Sequence, residues 1–169
     1  MTYTRRTAAA LLGLALFSFS VVPAFAAGTV VQVSLWDKGD SSMDMMGDVM
    51  PMGMGMMGAD MTLATMGITA DLTEVPAGEV TFQVINDSKH MIHEMVVAPV
   101  GDASTALPYI VDEAKVDEDA AGHLGEVAEL DVGQSGALTV TLKPGTYILY
   151  CNIPGHYAMG MWTLLTVTG

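Results

Sequence analysis

Residues 150–161 read YCNIPGHYAMGM, and this stretch decides how the rest of the chain is read. It holds the only cysteine, Cys151, then His156 after four intervening residues and Met161 after four more. A thiolate, an imidazole and a thioether on one short loop form a soft to borderline ligand set, which suits copper better than any hard cation. The alternation in residues 146–151 predicts a strand that carries Cys151 to the start of the loop. Pro154-Gly155 is a turn pair, placed to aim His156 back at the same centre. One more nitrogen ligand is needed from elsewhere, and His93 in HEMVV is the candidate. His93, Met95 and Val97 share one face of a strand predicted over residues 91–99, and a core-facing imidazole needs a partner to offset its desolvation. His90, three residues earlier in a polar break, is the rival ligand. His123 stands between glycines with no companion.

Outward from that loop, the flanks read as strands. Residues 28–35 (GTVVQVSL), 61–74, 79–85 (EVTFQVI), 126–132, 137–142 and 161–168 alternate apolar and polar side chains or are rich in β-branched residues. Val-Pro-Ala-Gly at 75–78 and Lys-Pro-Gly-Thr at 143–146 are turn signals, the second in the type II pattern. Residues 101–125 are the least regular, with a short helix expected near 109–115. About eight strands with little helix predict an all-β, Greek-key β-sandwich.

Residues 37–60 differ in kind. Eight of the chain's 15 methionines fall here, Met43, Met45, Met46, Met50, Met52, Met54, Met56 and Met57, interleaved with Gly, Asp and Pro. No helical or strand period survives that composition, so the segment reads as a mobile, low-complexity insertion. Its thioethers are candidates for additional weak Cu(I) binding. The competing reading is a flap that packs methionines over an apolar surface.

Residues 1–26 read as a secretory signal peptide: Arg5 and Arg6 form the basic start, residues 8–22 the apolar core, and Ala24-Phe25-Ala26 an A-x-A site. The arginine pair suits either an ordinary or a twin-arginine leader. The apolar run is too short for a stable membrane span. Cleavage leaves residues 27–169, roughly 140 residues and one domain. It also removes the only two arginines, leaving four lysines against 19 acids. So acidic a chain is a poor nucleic-acid binder. Acids cluster at Asp112, Glu113, Asp117, Glu118 and Asp119, with Glu126, Glu129 and Asp131 downstream; such a run reads as a solvated face or a docking surface for a cationic partner. In an oxidising, exported setting a lone cysteine has no intramolecular disulfide partner, which favours metal ligation.

With these residues in hand the chain resembles the cupredoxins, the small blue copper proteins related to plastocyanin and azurin. The likeness is specific at Tyr-Cys-Asn-Ile-Pro-Gly-His with its following Gly-Met, and at Asn86 leading to His93-Glu94-Met95-Val96-Val97. The resemblance implies His93, Cys151 and His156 as strong copper ligands and Met161 as a long axial ligand. Met159 is the alternative axial ligand. The loop spacing is most similar to the rusticyanin and sulfocyanin branch. Where plastocyanin and azurin have an asparagine after the first histidine, this chain has Glu94. The resemblance further implies a periplasmic or otherwise exported carrier of single electrons, cycling one mononuclear copper between Cu(I) and Cu(II). Its partner would be a redox protein, such as a basic cytochrome, or a copper-trafficking protein. His156 would be the exit to that partner, inside an apolar patch of Pro154, Tyr157, Ala158 and Met159. The alternative function is copper handling, as chaperone, store or resistance protein, through the methionine segment. Zinc fits the same three strong ligands. An enzyme is not expected: only His90 and His123 remain for a further copper, and a binuclear purple centre needs a second cysteine.

Overall fold

The computed structural model describes residues 28–44, 51–56 and 60–169. The expected signal peptide, and Met45, Met46, Met50 and Met57, lie outside the described residues. Two sheets face each other. One is four-stranded, in the order β2-β1-β4-β9, built from β1 (Thr29–Asp37), β2 (Met66–Ala70), β4 (Gly78–Asn86) and β9 (Ser135–Leu142). The other is five-stranded, in the order β3-β11-β10-β5-β8, from β3 (Glu74–Pro76), β5 (His93–Val100), β8 (Gly125–Leu130), β10 (Gly145–Tyr150) and β11 (Trp162–Thr168). Pairing is antiparallel except for β1 with β4 and β3 with β11, which run parallel. The expected all-β sandwich is therefore present, with two more strands, β6 (Tyr109–Ile110) and β7 (Lys115–Val116), forming a small hairpin outside it.

The alternation that predicted the strands also sets the core. Val31, Val33 and Leu35 of β1 and Val80, Phe82 and Val84 of β4 point inward. They meet Met95 and Val97 of β5, Tyr147 and Leu149 of β10, and Leu165 and Val167 of β11. At the turn before β10, the Tyr147 hydroxyl donates to the Lys143 carbonyl (2.9 Å) and accepts from the Lys143 N–H (3.1 Å). That clamps residues 143–146 across the start of the strand.

The outer face of the five-stranded sheet is buried too. Val96, Ala98, Ile148 and Tyr150 are covered by Leu107 and Val116 from residues 101–121, and by Met54. Two expectations are corrected here. Residues 109–115 form β6, a 3₁₀ turn and β7 rather than a helix, and a short α-helix, α1 (Glu118–Ala121), follows them. Ala114 sits in the left-handed region (φ 53°), the conformation that closes this hairpin.

The second correction concerns the methionine segment, which is not a mobile insertion over its described part. Residues 51–56 form a strap laid over the 151–161 loop, with Met52 and Met54 only 1% and 2% exposed. The Met52 N–H donates to the Ala158 carbonyl (2.7 Å), the Trp162 indole N–H to the Met52 carbonyl (2.7 Å), and the Tyr157 hydroxyl to the Met54 carbonyl (3.3 Å). Gly55, at φ +72°, lies so close to the main chain of Thr105 and Ala106 that a Cβ there would meet it at 2.4–2.5 Å. The strap is thus the methionine flap over an apolar surface, a shape that a flexible, unbranched side chain fills well. Among the described residues no helix is long and apolar enough to cross a membrane.

If Met54 anchors the strap, Met54→Ala should lower the stability of the metal-free protein by about 2–4 kcal/mol, as for other buried methionines. Urea unfolding followed by tryptophan fluorescence measures it, and a change below about 0.5 kcal/mol, the size of an ordinary surface substitution, would mean that the strap is not packed.

Candidate metal centre

Two neighbouring strands and one loop build the site. β10 pairs with β5 so that Tyr150 stands opposite Val96 and Leu149 opposite Val97. Leu149 and Cys151 therefore share the inward face with Met95 and His93. Asn86, at the end of β4, fixes the approach to His93: its amide donates to the carbonyls of Met91 (2.9 Å) and Leu130 (2.8 Å), and its Oδ1 accepts from the Ser88 N–H (3.1 Å). Its burial is complete, so each of those bonds satisfies a group that has no access to water.

From Cys151 the chain turns through Ile153-Pro154-Gly155-His156, closed by the His156 N–H on the Ile153 carbonyl (3.0 Å), with Gly155 at φ +86°. This is the expected Pro-Gly turn in type II form. The loop is then tied shut. The Met161 N–H donates to the His156 carbonyl (3.0 Å), and the Met161 carbonyl accepts from the Cys151 N–H (3.1 Å). Gly160, at φ +91°, makes the bend just before Met161.

The structure brings together three of the four expected ligands by their donor atoms. Nδ1 of His93 and Nδ1 of His156 are 3.1 Å apart, and Sγ of Cys151 is 3.9 Å from the first and 3.4 Å from the second. A metal bound at the usual 2.0–2.3 Å by three such atoms holds them about 3.3–3.8 Å apart. The three separations bracket that range, so the donor set fits a single ion. Met161 is fully buried in the same cluster as Cys151, and Met159 is 3% exposed beside it. His90 and His123 are both exposed and take no part in the cluster.

The electrostatics suit neutral nitrogen ligands and a cation-dependent thiolate. Burial pushes the Cys151 thiol up to about 12, against the pull of the Glu94 and Ile153 N–H groups. The Glu94 N–H lies 3.5 Å from the sulfur. Burial and the neighbouring His93 push the His156 imidazole down to about 4. His93 is lowered by burial too, with Asp37 opposing. Near neutral pH both rings are thus free of the proton that would block a metal, and only the thiol has one to release when a cation binds.

Two residues that the sequence reading passed over belong to the surroundings. Asn152 locks the loop to β7: its Oδ1 accepts from the Val116 N–H (2.7 Å), and its amide donates to the Val116 carbonyl (3.0 Å) and to Glu118 Oε1 (2.7 Å). Asp37, on β1, faces the far side of the His93 ring, with Oδ2 3.4 Å from Nε2. Its sequence signal was present, because positions 31, 33, 35 and 37 keep one phase and put an acid on the core-facing side. One expectation fails. His156 is only 3% exposed, and Tyr157 and Met159 are 1% and 3% exposed, so the supposed apolar patch shrinks to Pro154 and part of Ala158. The strap residues Met52 and Met54 cover what was expected to be open.

A sandwich holding a buried cysteine between two histidines defines a mononuclear metal-binding protein. Residues 52–168 match the model of the copper binding proteins of the plastocyanin/azurin family, and the chain belongs to that family. A stretch of 46 residues, 27% of this chain, is 50% identical to auracyanin-B of Chloroflexus aurantiacus, and spans 20% of that protein. The fold is similar to reduced auracyanin from Roseiflexus castenholzii (23% identity, TM-score 0.50, covering 85% of this chain and 99% of that one). It is also similar to rusticyanin from Thiobacillus ferrooxidans (20% identity, TM-score 0.51, covering 84% and 79%). Copper is the metal of this family, and His93, Cys151 and His156 offer it a fitting donor set.

Glu94, beside His93, is buried and its carboxyl is raised to about 7, first by burial and then by Glu126, with Lys115 opposing. A carboxyl raised above its unfolded value of 4.5 stabilises the fold fully at low pH, and that contribution is lost as pH rises toward and past 7. Glu94→Gln should therefore make the metal-free protein more stable relative to wild type at pH 8 than at pH 4.5, by up to about 2 kcal/mol after allowance for solvent screening. Urea titrations at the two pH values test this, and parallel pH profiles for the two proteins would exclude it.

Proposed function

We propose that the chain is an exported type 1 copper protein that carries single electrons between redox partners, with His93, Cys151 and His156 as strong ligands and Met161 as the long axial one. The observation that carries this reading is the convergence of a thiol and two neutral imidazoles within the dry core. Three such ligands with a weak fourth suit both oxidation states of copper, so a one-electron change asks little rearrangement. Met161 is preferred over Met159 because its carbonyl is tied to the Cys151 N–H at the mouth of β11, whereas the Met159 N–H bonds to Gly155 and His156. The role is that of a carrier and not of an enzyme. Export rests on the leader-like residues 1–26.

The partner is proposed to be a cationic redox protein, such as a basic cytochrome. Four acids, Glu113, Asp117, Glu118 and Asp119, against one cation, Lys115, line a cleft that Asn152, the residue after Cys151, also lines. That cleft gives a positively charged partner an approach to the Cys151 side of the centre, where opposite charge speeds encounter. The copper-handling alternative, with a copper-trafficking protein as partner, keeps less support. Met52 and Met54 are committed to packing and not free to collect Cu(I). Of the described methionines in the segment, Met43 and Met56 are partly open.

Adding Cu(II) to metal-free protein should give an intense visible thiolate-to-copper band that is lost in Cys151→Ala and kept in His123→Ala. The loaded protein should then exchange electrons with a basic cytochrome at a rate that falls several-fold between about 10 and 150 mM salt, as for steered encounters. Absence of the band in wild type would remove the copper reading, and a salt-independent rate would remove the cationic partner.

A further inference from the structure

Asp37 ends β1 in the inward phase of Val31, Val33 and Leu35, and its side chain is wholly buried, as is that of His93. Oδ1 accepts the Gly39 N–H at 2.7 Å, which fixes the carboxylate plane. Oδ2 is left facing Nε2 of His93 at 3.4 Å, and neither atom makes a hydrogen bond elsewhere among the described residues. A carboxylate oxygen and a ring nitrogen buried in this way are costly unless each serves the other. Packing alone does not call for an acid, because an asparagine would fill the same volume and keep the bond to Gly39. His93 turns its Nδ1 toward Cys151 and His156, so Nε2 is the nitrogen a metal would leave over.

We propose that Asp37 is a positioning residue of the copper centre. Its carboxylate accepts a hydrogen bond from the Nε2–H of His93, which leaves the lone pair on Nδ1 directed at the metal. It also places a buried negative charge one ring away from the ion, favouring Cu(II) over Cu(I). This role rests on the copper reading above and adds an element that the spacing of the ligand loop does not contain. Carboxylates behind metal-bound histidines raise ligand basicity, and their loss typically costs 10–100-fold in metal affinity. Because the group is buried, the effect should persist at high salt, unlike that of a surface acid.

The test is Asp37→Asn, which keeps size and the acceptor for Gly39 and removes the charge. Cu(II) and Cu(I) affinities are measured by chelator competition, and the reduction potential by titration at low and high salt. Relative to Cu(I), Cu(II) should bind at least about tenfold more weakly in the variant. The potential should rise by about 59 mV for each tenfold change in that ratio, at both salt concentrations. A ratio within about twofold of wild type, well short of the usual loss, overturns the role of Asp37 while leaving the copper reading intact. If wild type itself gives no thiolate-to-copper band, the copper reading is what has failed. A measurement on wild type covers the case in which the variant does not fold. In the Cu(I) form the Nε2 proton of His93 should resonate far downfield and exchange slowly, and an ordinary imidazole shift with fast exchange would overturn the proposal.

Discussion

The register between β5 and β10 is the constraint on which the site depends. Tyr150 opposite Val96 and Leu149 opposite Val97 put Leu149, Cys151, Met95 and His93 on one face of the five-stranded sheet. Side chains alternate with a period of two, so a slip by one residue would move every one of them to the other face. The thiol would then lie among Tyr150's neighbours, under Met54 and Leu107, away from the imidazole of His93. The slip is opposed by both layers at once. Met95 and Val97 fill the space between the sheets and Val96 and Ala98 the layer beneath the outer covering, so a slip would have to repack both layers together. Sequence therefore specifies the metal site through packing on both sides of one strand before any ligand chemistry enters.

Packing of that kind leaves the donor atoms dry, and the dryness has a thermodynamic consequence. Without a cation, burial holds the Cys151 thiol protonated and both imidazoles neutral. Three polar donor atoms are held 3.1–3.9 Å apart out of water, an unfavourable placement even where they hydrogen-bond among themselves. The metal-free fold must carry that cost, which hydrophobic burial across the two cores offsets. A metal that binds only the native arrangement returns stability according to its affinity and concentration. Folding and metal capture are thus coupled through the same three atoms, with one proton leaving the thiol.

The parts of this arrangement legible in the sequence were those with a local period or a short spacing. Cys151, the Pro154-Gly155 turn and His156 lie within six positions, and the strands announce themselves by alternation. His93 was legible because an imidazole in the inward phase of a strand is conspicuous. Asp37 sits in the same kind of phase on β1, yet the Met- and Gly-rich composition that begins there masks it, so alternation alone ends the strand at Leu35. The strap failed for a related reason. Methionine is unbranched and adapts to irregular gaps, so Met52 and Met54 could be core residues without leaving any period behind. The partners that bury them, Tyr157, Trp162, Leu107 and the main chain at Ala158, are some fifty or more positions away.

The strap also changes how the proposed carrier meets a partner. On the expected surface, His156 would be open within an apolar patch, and docking would depend chiefly on burying that patch. With His156 buried and residues 51–56 bonded over Tyr157 and Ala158, little apolar loop area remains for contact there. The cleft lined by Glu113, Lys115, Asp117, Glu118 and Asp119 is joined to the centre through Asn152 and its bonds to Val116 and Glu118. The two surfaces therefore differ in chemistry: residues 51–56 present methionine and no charge, and the cleft is mainly acidic and hydrogen-bonded to the residue after the thiol. A partner selected by charge uses the acidic side, and its rate responds to salt. A partner selected by apolar contact must accommodate the strap, so its rate responds to substitutions at Met54 and Met56 instead.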